Sequence, residues 1–173
     1  AEFSAAIAAK LGLDSDRIET LRLAAVMHDV GKGALNEGVQ DRTGDFTEAD
    51  RNEMRRHSVA GERMLRDHEN EILALAASIA KSHHERWDGS GYPEGLKGEQ
   101  IPLESRIVAV ADVFDALTSA RTYRPPFPNA EAFEIVRSGA GKRFCPKVVK
   151  AFVACRRQIE SIQSVINSRD EPE

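Results

Sequence analysis

Met27-His28-Asp29-Val30-Gly31-Lys32 is the stretch on which the fold and chemistry of this chain turn. Ahead of it, Ile18, Leu21, Ala24 and Ala25 recur at helical spacing. Three polar groups then interrupt the apolar pattern. On a helix, Lys32 lies one turn beyond His28 and shares a face with Asp29. His28 and Asp29 would point about 100° apart, so both can converge on one metal ion without blocking each other. A plainer account makes the stretch a helix C-terminus, with Gly31 as cap, Lys32 favouring the helix dipole and His28 a satisfied core histidine. The positions of the other histidines weigh against that account.

Outward from this stretch, every periodic segment is helical. Residues 2–11 read as a helix stopped by Gly12. Asp14 or Ser15 can cap the next helix, which carries the His28-Asp29 pair. Residues 33–46 are polar and aperiodic, a loop or lid. Thr47, with Asp50 three residues on, opens a helix that runs to about Leu65 and carries His57. Gly61 lies on the same face, where a glycine costs helix stability, so a close backbone approach is expected there. Residues 71–84 form the clearest stripe: Ile72, Leu75, Ala76, Ile79, Ala80 and His83, with His84 next. Residues 85–102 hold four glycines and two prolines, which exclude helix or strand. Pro102 starts a helix over 103–119, in which Asp112 interrupts small and apolar residues. Residues 120–128 are a basic and aromatic loop with Arg121, Tyr123 and Arg124. Asn129 caps a helix to about Ser138, and Pro146 opens a last helix to about Asn167. No strand pattern, internal repeat or low-complexity tract is present. The expectation is an all-α bundle of about seven helices, one domain over 1–167 with a polar tail at 168–173.

Composition narrows the function. The chain has 173 residues, enough for one full hydrophobic core, with 41% hydrophobic and 30% charged residues. A net charge of −4 gives no whole-chain basic field for DNA or an anionic membrane. The apolar stretch over residues 73–80, interrupted by Ser78, is too short to span a bilayer. Cys145 and Cys155 do not form a C-x-x-C pair and read as reduced thiols of a cytoplasmic protein. Ala1 in the first position suggests a piece of a longer chain.

Four of the five histidines, His28, His57, His83 and His84, occupy the special positions above. His68, beside Asp67 and Glu69, reads as plain surface. A doubled histidine ending a core-facing stripe is poorly explained by packing, because both imidazoles must be satisfied there. With Asp29 and Asp112 there are six potential ligands from four helices or helix ends. A bundle that points them inward builds a mixed nitrogen and oxygen site for two cations. Asp29 is the best candidate for the carboxylate shared between two ions about 3.5–4 Å apart.

These residues resemble a known family. His28-Asp29 is similar to the signature of the HD metal-dependent phosphohydrolases, and the string from His83-His84-Glu85 to Gly91-Tyr92-Pro93 resembles the motif of the HD-GYP subgroup. Asp112 to Ser119 and Arg121-Thr122-Tyr123-Arg124 resemble its next block. The resemblance implies an HD-superfamily bundle with a metal centre in its core. It implies a phosphodiesterase of bacterial signalling that hydrolyses cyclic di-GMP to linear pGpG, and often on to GMP, by attack of a metal-bridging hydroxide. Two divalent ions, iron or manganese, would be held by His28, Asp29, His57, His83, His84 and Asp112. Lys32 would meet the scissile phosphate, Arg121, Tyr123 and Arg124 the substrate's phosphates and guanines, and Tyr92 the mouth of the site. Asp115 and Glu85 are expected to support the ligands from behind. Implied partners are an N-terminal sensor or receiver domain of a two-component system and a GGDEF-domain protein at Gly91-Tyr92-Pro93. The family has a further histidine upstream, before the point where this sequence starts. A proline and an apolar residue are usual where Asn36 to Val39 stand, and an aspartate where Cys145 stands. The competing readings are an HD hydrolase of another cyclic dinucleotide or nucleotide, and a non-catalytic module binding a nucleotide or partner. The Arg121–Arg124 and Gly91-Tyr92-Pro93 loops set the chain apart from generic HD enzymes.

Overall fold

The computed structural model describes residues 1–35, 38, 46–66, 69–119 and 125–167. These residues form eight α-helices: α1 (Glu2–Leu11), α2 (Ser15–Ala25), α3 (Glu48–Leu65), α4 (Glu71–Ser82), α5 (Leu103–Thr118), α6 (Asn129–Ser138), α7 (Pro146–Ala154) and α8 (Arg156–Asn167). Among the described residues there is no strand, only an isolated bridge between Ala140 and Phe144.

Local chemistry sets most boundaries. Gly12 ends α1 in the left-handed region, at φ 86°. Asp14 caps α2 by accepting from the Arg17 amide at 2.9 Å. Thr47 and Asp50 make the reciprocal capping box that starts α3. The Asn70 side chain accepts from the Ile72 and Leu73 amides at the start of α4.

Three expectations need correction. The helix before His28 ends at Ala25, and residues 26–29 are a turn leading into a 3-10 segment, Val30–Ala34. His28 and Asp29 therefore sit on an irregular backbone, which lets them turn toward other helices. The piece expected as one helix over 146–167 breaks at Cys155, giving the eighth helix. The glycine-rich loop contains one 3-10 turn, Gly98–Gln100.

The core lies where α1, α2, α4, α5, α6 and α7 meet. Phe114 is its centre, 5.4 Å by ring centroid from Phe3, 4.9 Å from Phe133 and 5.2 Å from Phe152. Helix α3 packs instead on α4 and on the 3-10 segment. Two glycines permit that approach, as expected for Gly61. A Cβ on Gly31 would lie 2.0 Å from the His57 carbonyl and 2.4 Å from the Gly61 nitrogen. One on Gly61 would lie 3.1 Å from the Ala80 Cβ. Close contact at Gly31 and Gly61 brings His57 on α3 against the His28-Asp29 turn.

Candidate metal centre

His83 and His84 leave the end of α4, His57 comes from α3, His28 and Asp29 from the turn, and Asp112 from α5. Among the described residues, Asp29, His57, His83 and His84 form the one group whose ligand atoms all lie within 4.8 Å of one another. Asp29 is the hinge of the arrangement. Its Oδ1 lies 3.4 Å from His57 Nε2 and 3.7 Å from His83 Nε2. Its Oδ2 lies 3.4 Å from His28 Nε2 and 2.5 Å from Lys32 Nζ. Asp112 Oδ1 is 3.7 Å from His28 Nε2. His28 and Asp112 thus adjoin the tight group through Asp29 rather than belonging to it.

The outer ring nitrogens fix the tautomers. His28 Nδ1 lies 2.8 Å from the Ala25 carbonyl and His57 Nδ1 2.5 Å from that of Met54. His83 Nδ1 lies 3.0 Å from both the Ile79 and Ala80 carbonyls. A carbonyl only accepts, so in the neutral ring Nδ1 carries the proton and Nε2 keeps its lone pair. The inward face is then made of acceptors. His57 and His83 aim Nε2 atoms at each other across 3.5 Å, and Asp29 Oδ1 is buried beside them with no hydrogen-bond partner. Such a convergence is costly unless a cation fills it, and imidazole nitrogen with carboxylate oxygen is the donor set of a first-row divalent metal. The residues present fit the group.

Electrostatics agree with this. Burial, followed by the charges of His83 and His57, pushes His84 down to about 3. Burial and His83 also lower His57. Burial opposes ionisation of Asp29, but the His83 ring and the Lys32 ammonium outweigh it and hold the carboxyl below the usual range. The Lys32 contact is the firmer of the two, being the shorter. His28 is raised, because Asp112 and Asp29 overcome its burial. Asp112 is lowered, its own burial outweighed by His28.

The backing expected from Glu85 and Asp115 is supplied at three histidines by main-chain carbonyls instead. Glu85 is buried and spends both oxygens on the following loop, accepting from the amides of Glu94 at 2.8 Å, Gly95 at 3.1 Å and Leu96 at 3.0 Å. Asp115 is exposed one turn beyond Asp112, on a smaller cavity shared with His28 and Ser4. The loop held by Glu85 lays Tyr92 on the His84 ring, with centroids 4.8 Å apart, and Arg55 lies 5.3 Å from the Tyr92 ring centre. Tyr92, His83, His84 and Asp112 line a cavity of about 390 Å³ together with Arg86 and Arg143. Sequence reading missed Arg55, Arg86 and Arg143. Arg55 stands two residues before His57 and Arg86 two after His84, but nothing local marks Arg143. Arg121, Tyr123 and Arg124 lie outside the described residues, as do His68, most of the 33–46 loop and the 168–173 tail.

The profile of the HD domain family matches residues 1–148, so this chain belongs to the HD domain family. It is 44% identical over 156 residues to the cyclic di-GMP phosphodiesterase response regulator RpfG of Xanthomonas campestris, covering 90% of this chain and 41% of that protein. It is 41% identical over 159 residues to a cyclic di-GMP phosphodiesterase of Thermotoga maritima, covering 92% of this chain and 43% of that one. The chain thus spans about two fifths of the length of these relatives. A solved Vibrio cholerae structure, described as a cyclic GMP-AMP specific phosphodiesterase, shares the fold at a TM-score of 0.63 and 23% identity, over 88% of this chain and 41% of that one. No helix among the described residues is long and apolar enough to cross a membrane.

Proposed function

We propose that this chain is the catalytic HD-GYP domain of a phosphodiesterase that hydrolyses cyclic di-GMP to linear pGpG. The observation that carries the reading is the ring of acceptors around Asp29 Oδ1, with Lys32 at its edge. The names of the two relatives give the substrate class. His57, His83, His84 and Asp29 would hold one divalent ion, and His28, Asp112 and the same Asp29 a second, iron or manganese in each case. When bound, the pair would supply Lewis acidity, lowering the pKa of water toward neutrality and screening the phosphate's charge.

The chain's own residues do the rest. Asp29, held ionised, keeps Lys32 Nζ at the rim of the cluster, where the ammonium meets a non-bridging oxygen as charge develops. Tyr92 covers His84 and narrows the mouth, excluding water from one side. The nucleophile is water: among the described residues the cavity's one serine, Ser90, commits its hydroxyl to Asp88, and Cys145 and Cys155 are buried. The ribose 3′-oxygen leaves and takes its proton from solvent. Arg121, Tyr123 and Arg124 are assigned to the phosphates and guanines on sequence grounds alone. Outside the chain, an N-terminal sensor or receiver domain and a GGDEF partner at Gly91-Tyr92-Pro93 complete the reading, in the cytoplasm.

The shared fold of the Vibrio structure does not select the base, so cyclic GMP-AMP is the alternative substrate. Turnover of both dinucleotides by purified protein, loaded with iron or manganese under reducing conditions, tests the proposal. Faster hydrolysis of cyclic di-GMP supports it. Preference for cyclic GMP-AMP moves the substrate, and no turnover of either removes the function.

A further inference from the structure

The cavity lined by His83, His84 and Asp112 also carries two arginines that the cluster does not use. Arg86 and Arg143 come from segments far apart in sequence, but their backbones are tied together. The Arg143 carbonyl accepts from the Trp87 amide at 3.2 Å, and the Lys142 carbonyl from Asp88 at 2.9 Å. Among the described residues, Arg143 is not neutralised, and Arg86 has only one long ion pair, with Asp88. Arg143 makes no ion pair among the described residues and lies over the Phe144 ring, 5.2 Å from its centre. The Nε of Arg86 is buried without a hydrogen-bond partner. Its nearest carboxylate, Asp88 Oδ1, is 3.7 Å away and already takes the Ser90 amide at 3.0 Å and the Ser90 hydroxyl at 2.6 Å. Desolvation, and after it the charge of Arg86, lowers the Arg143 pKa, so the two charges feel each other. Two like charges facing one polar cavity are destabilising on their own and are relieved by an anion between them.

We propose that Arg86 and Arg143 clamp a terminal phosphate monoester, one nucleotide away from the metal cluster, and so retain the linear dinucleotide for a second cut. The proposal rests on the phosphodiesterase reading. The charge selects the ligand. The phosphates of a cyclic dinucleotide are diesters with one negative charge each, whereas a terminal phosphate carries about −1.5 to −2 at neutral pH. Opening the ring breaks one P–O3′ bond. Water adds its oxygen to phosphorus, one proton goes to the departing 3′-oxygen and the other to solvent, and a 5′-phosphate appears on the product. With that phosphate between the arginines, the remaining diester lies one ribose away, at the cluster. A second addition of water breaks its P–O3′ bond and releases two mononucleotides. Each guanidinium offers paired donors that match phosphate oxygens.

The test compares pGpG with GpG, which lacks only the terminal phosphate, on manganese-loaded wild type, Arg143→Ala and Arg143→Lys. Calorimetric affinity and kcat/KM are measured, with cyclic di-GMP as the third substrate. Wild type is expected to bind pGpG about tenfold or more tighter than GpG, the usual scale for a charge-assisted contact. Arg143→Ala should erase that margin and lower kcat/KM on pGpG about tenfold more than on cyclic di-GMP, and Arg143→Lys should restore part of it. Circular dichroism checks that the variants fold. Equal affinity of wild type for pGpG and GpG, or equal loss on linear and cyclic substrates, overturns the clamp. An Arg143-dependent preference for pGpG without hydrolysis of any diester would leave the clamp standing and remove the phosphodiesterase reading.

Discussion

Gly31→Ala tests how the fold builds the site. Gly31 is buried in the 3-10 segment, and its φ lies outside the left-handed region, so an alanine there costs only space. The added Cβ would meet the His57 carbonyl at 2.0 Å, the Gly61 nitrogen at 2.4 Å and the Gly61 Cα at 2.9 Å. Ordinary contact begins at 3.4 Å, so the shortfall at the carbonyl is 3.4 − 2.0 = 1.4 Å. All three atoms are backbone of α3 and cannot swing aside as a side chain would. Overpacking that side chains can absorb costs about 1–3 kcal/mol, so this case belongs at the upper end or beyond. For a chain of this size, about 3 kcal/mol corresponds to a fall in Tm of about 6–12 °C. Gly61→Ala is the control. Its Cβ would meet Ala80 Cβ at 3.1 Å and the Gly31 nitrogen at 3.3 Å, a shortfall of a few tenths. Alanine also gains about 1 kcal/mol of helix propensity, which offsets much of the crowding. Thermal unfolding in chelator isolates the packing effect, because bound metal would itself stabilise the native state. Manganese titration of both variants then reports whether His57 has moved away from Asp29. Gly31→Ala should melt well below wild type and bind manganese more weakly, while Gly61→Ala stays within a few degrees. A Gly31→Ala protein with wild-type Tm and affinity would show that α3 is not seated by this contact.

Three further outcomes follow from the site. Asp29→Ala should lose both ions, since both halves of the cluster meet at its two oxygens, and elemental analysis showing full occupancy would refute the bridge. Lys32→Ala should keep the metals but lower kcat by about 10²–10³-fold, the scale of one lost electrostatic stabiliser, and an unchanged kcat would reduce Lys32 to a counter-charge for Asp29. Glu85→Ala should leave three loop amides without their acceptor, speeding hydrogen exchange at residues 94–96 and raising KM as Tyr92 loosens, whereas unchanged exchange there would show that the loop is held by other contacts.

Residues 2–11, 47–65 and 103–118 were legible because their information is local. Caps such as Thr47 with Asp50, and apolar residues at helical intervals, act within one or two turns of chain. The His28-Asp29 pair was legible as chemistry but not as backbone. Spacing alone would let the helix run on to His28 and Asp29, yet residues 26–29 are a turn leading into a 3-10 segment whose Gly31 packs against His57 and Gly61 of α3. The ligand set had the same character. His83 and His84 were marked by a position that packing explains poorly, but the partition of Asp29, with Oδ1 toward His57 and His83 and Oδ2 toward His28 and Lys32, depends on three segments converging.

Glu85 shows where motif reading stops. Its place directly after His83-His84 suggests a role behind a ligand, and its side chain turns the other way to collect the amides of residues 94–96. The physical reason is supply. The Nδ1 atoms of His28, His57 and His83 are donors already satisfied by carbonyls one turn back in their own segments, so no carboxylate is required there. The glycine-rich loop, lacking secondary structure over most of its length, has amides with no partner in a helix or sheet, and a buried carboxylate satisfies three of them at once. A carboxylate beside a metal-binding histidine is therefore assigned by asking which donors nearby lack an acceptor. In this chain that question places Glu85 with the loop that positions Tyr92, and leaves Asp29 as the carboxylate facing the cluster with an unpartnered oxygen.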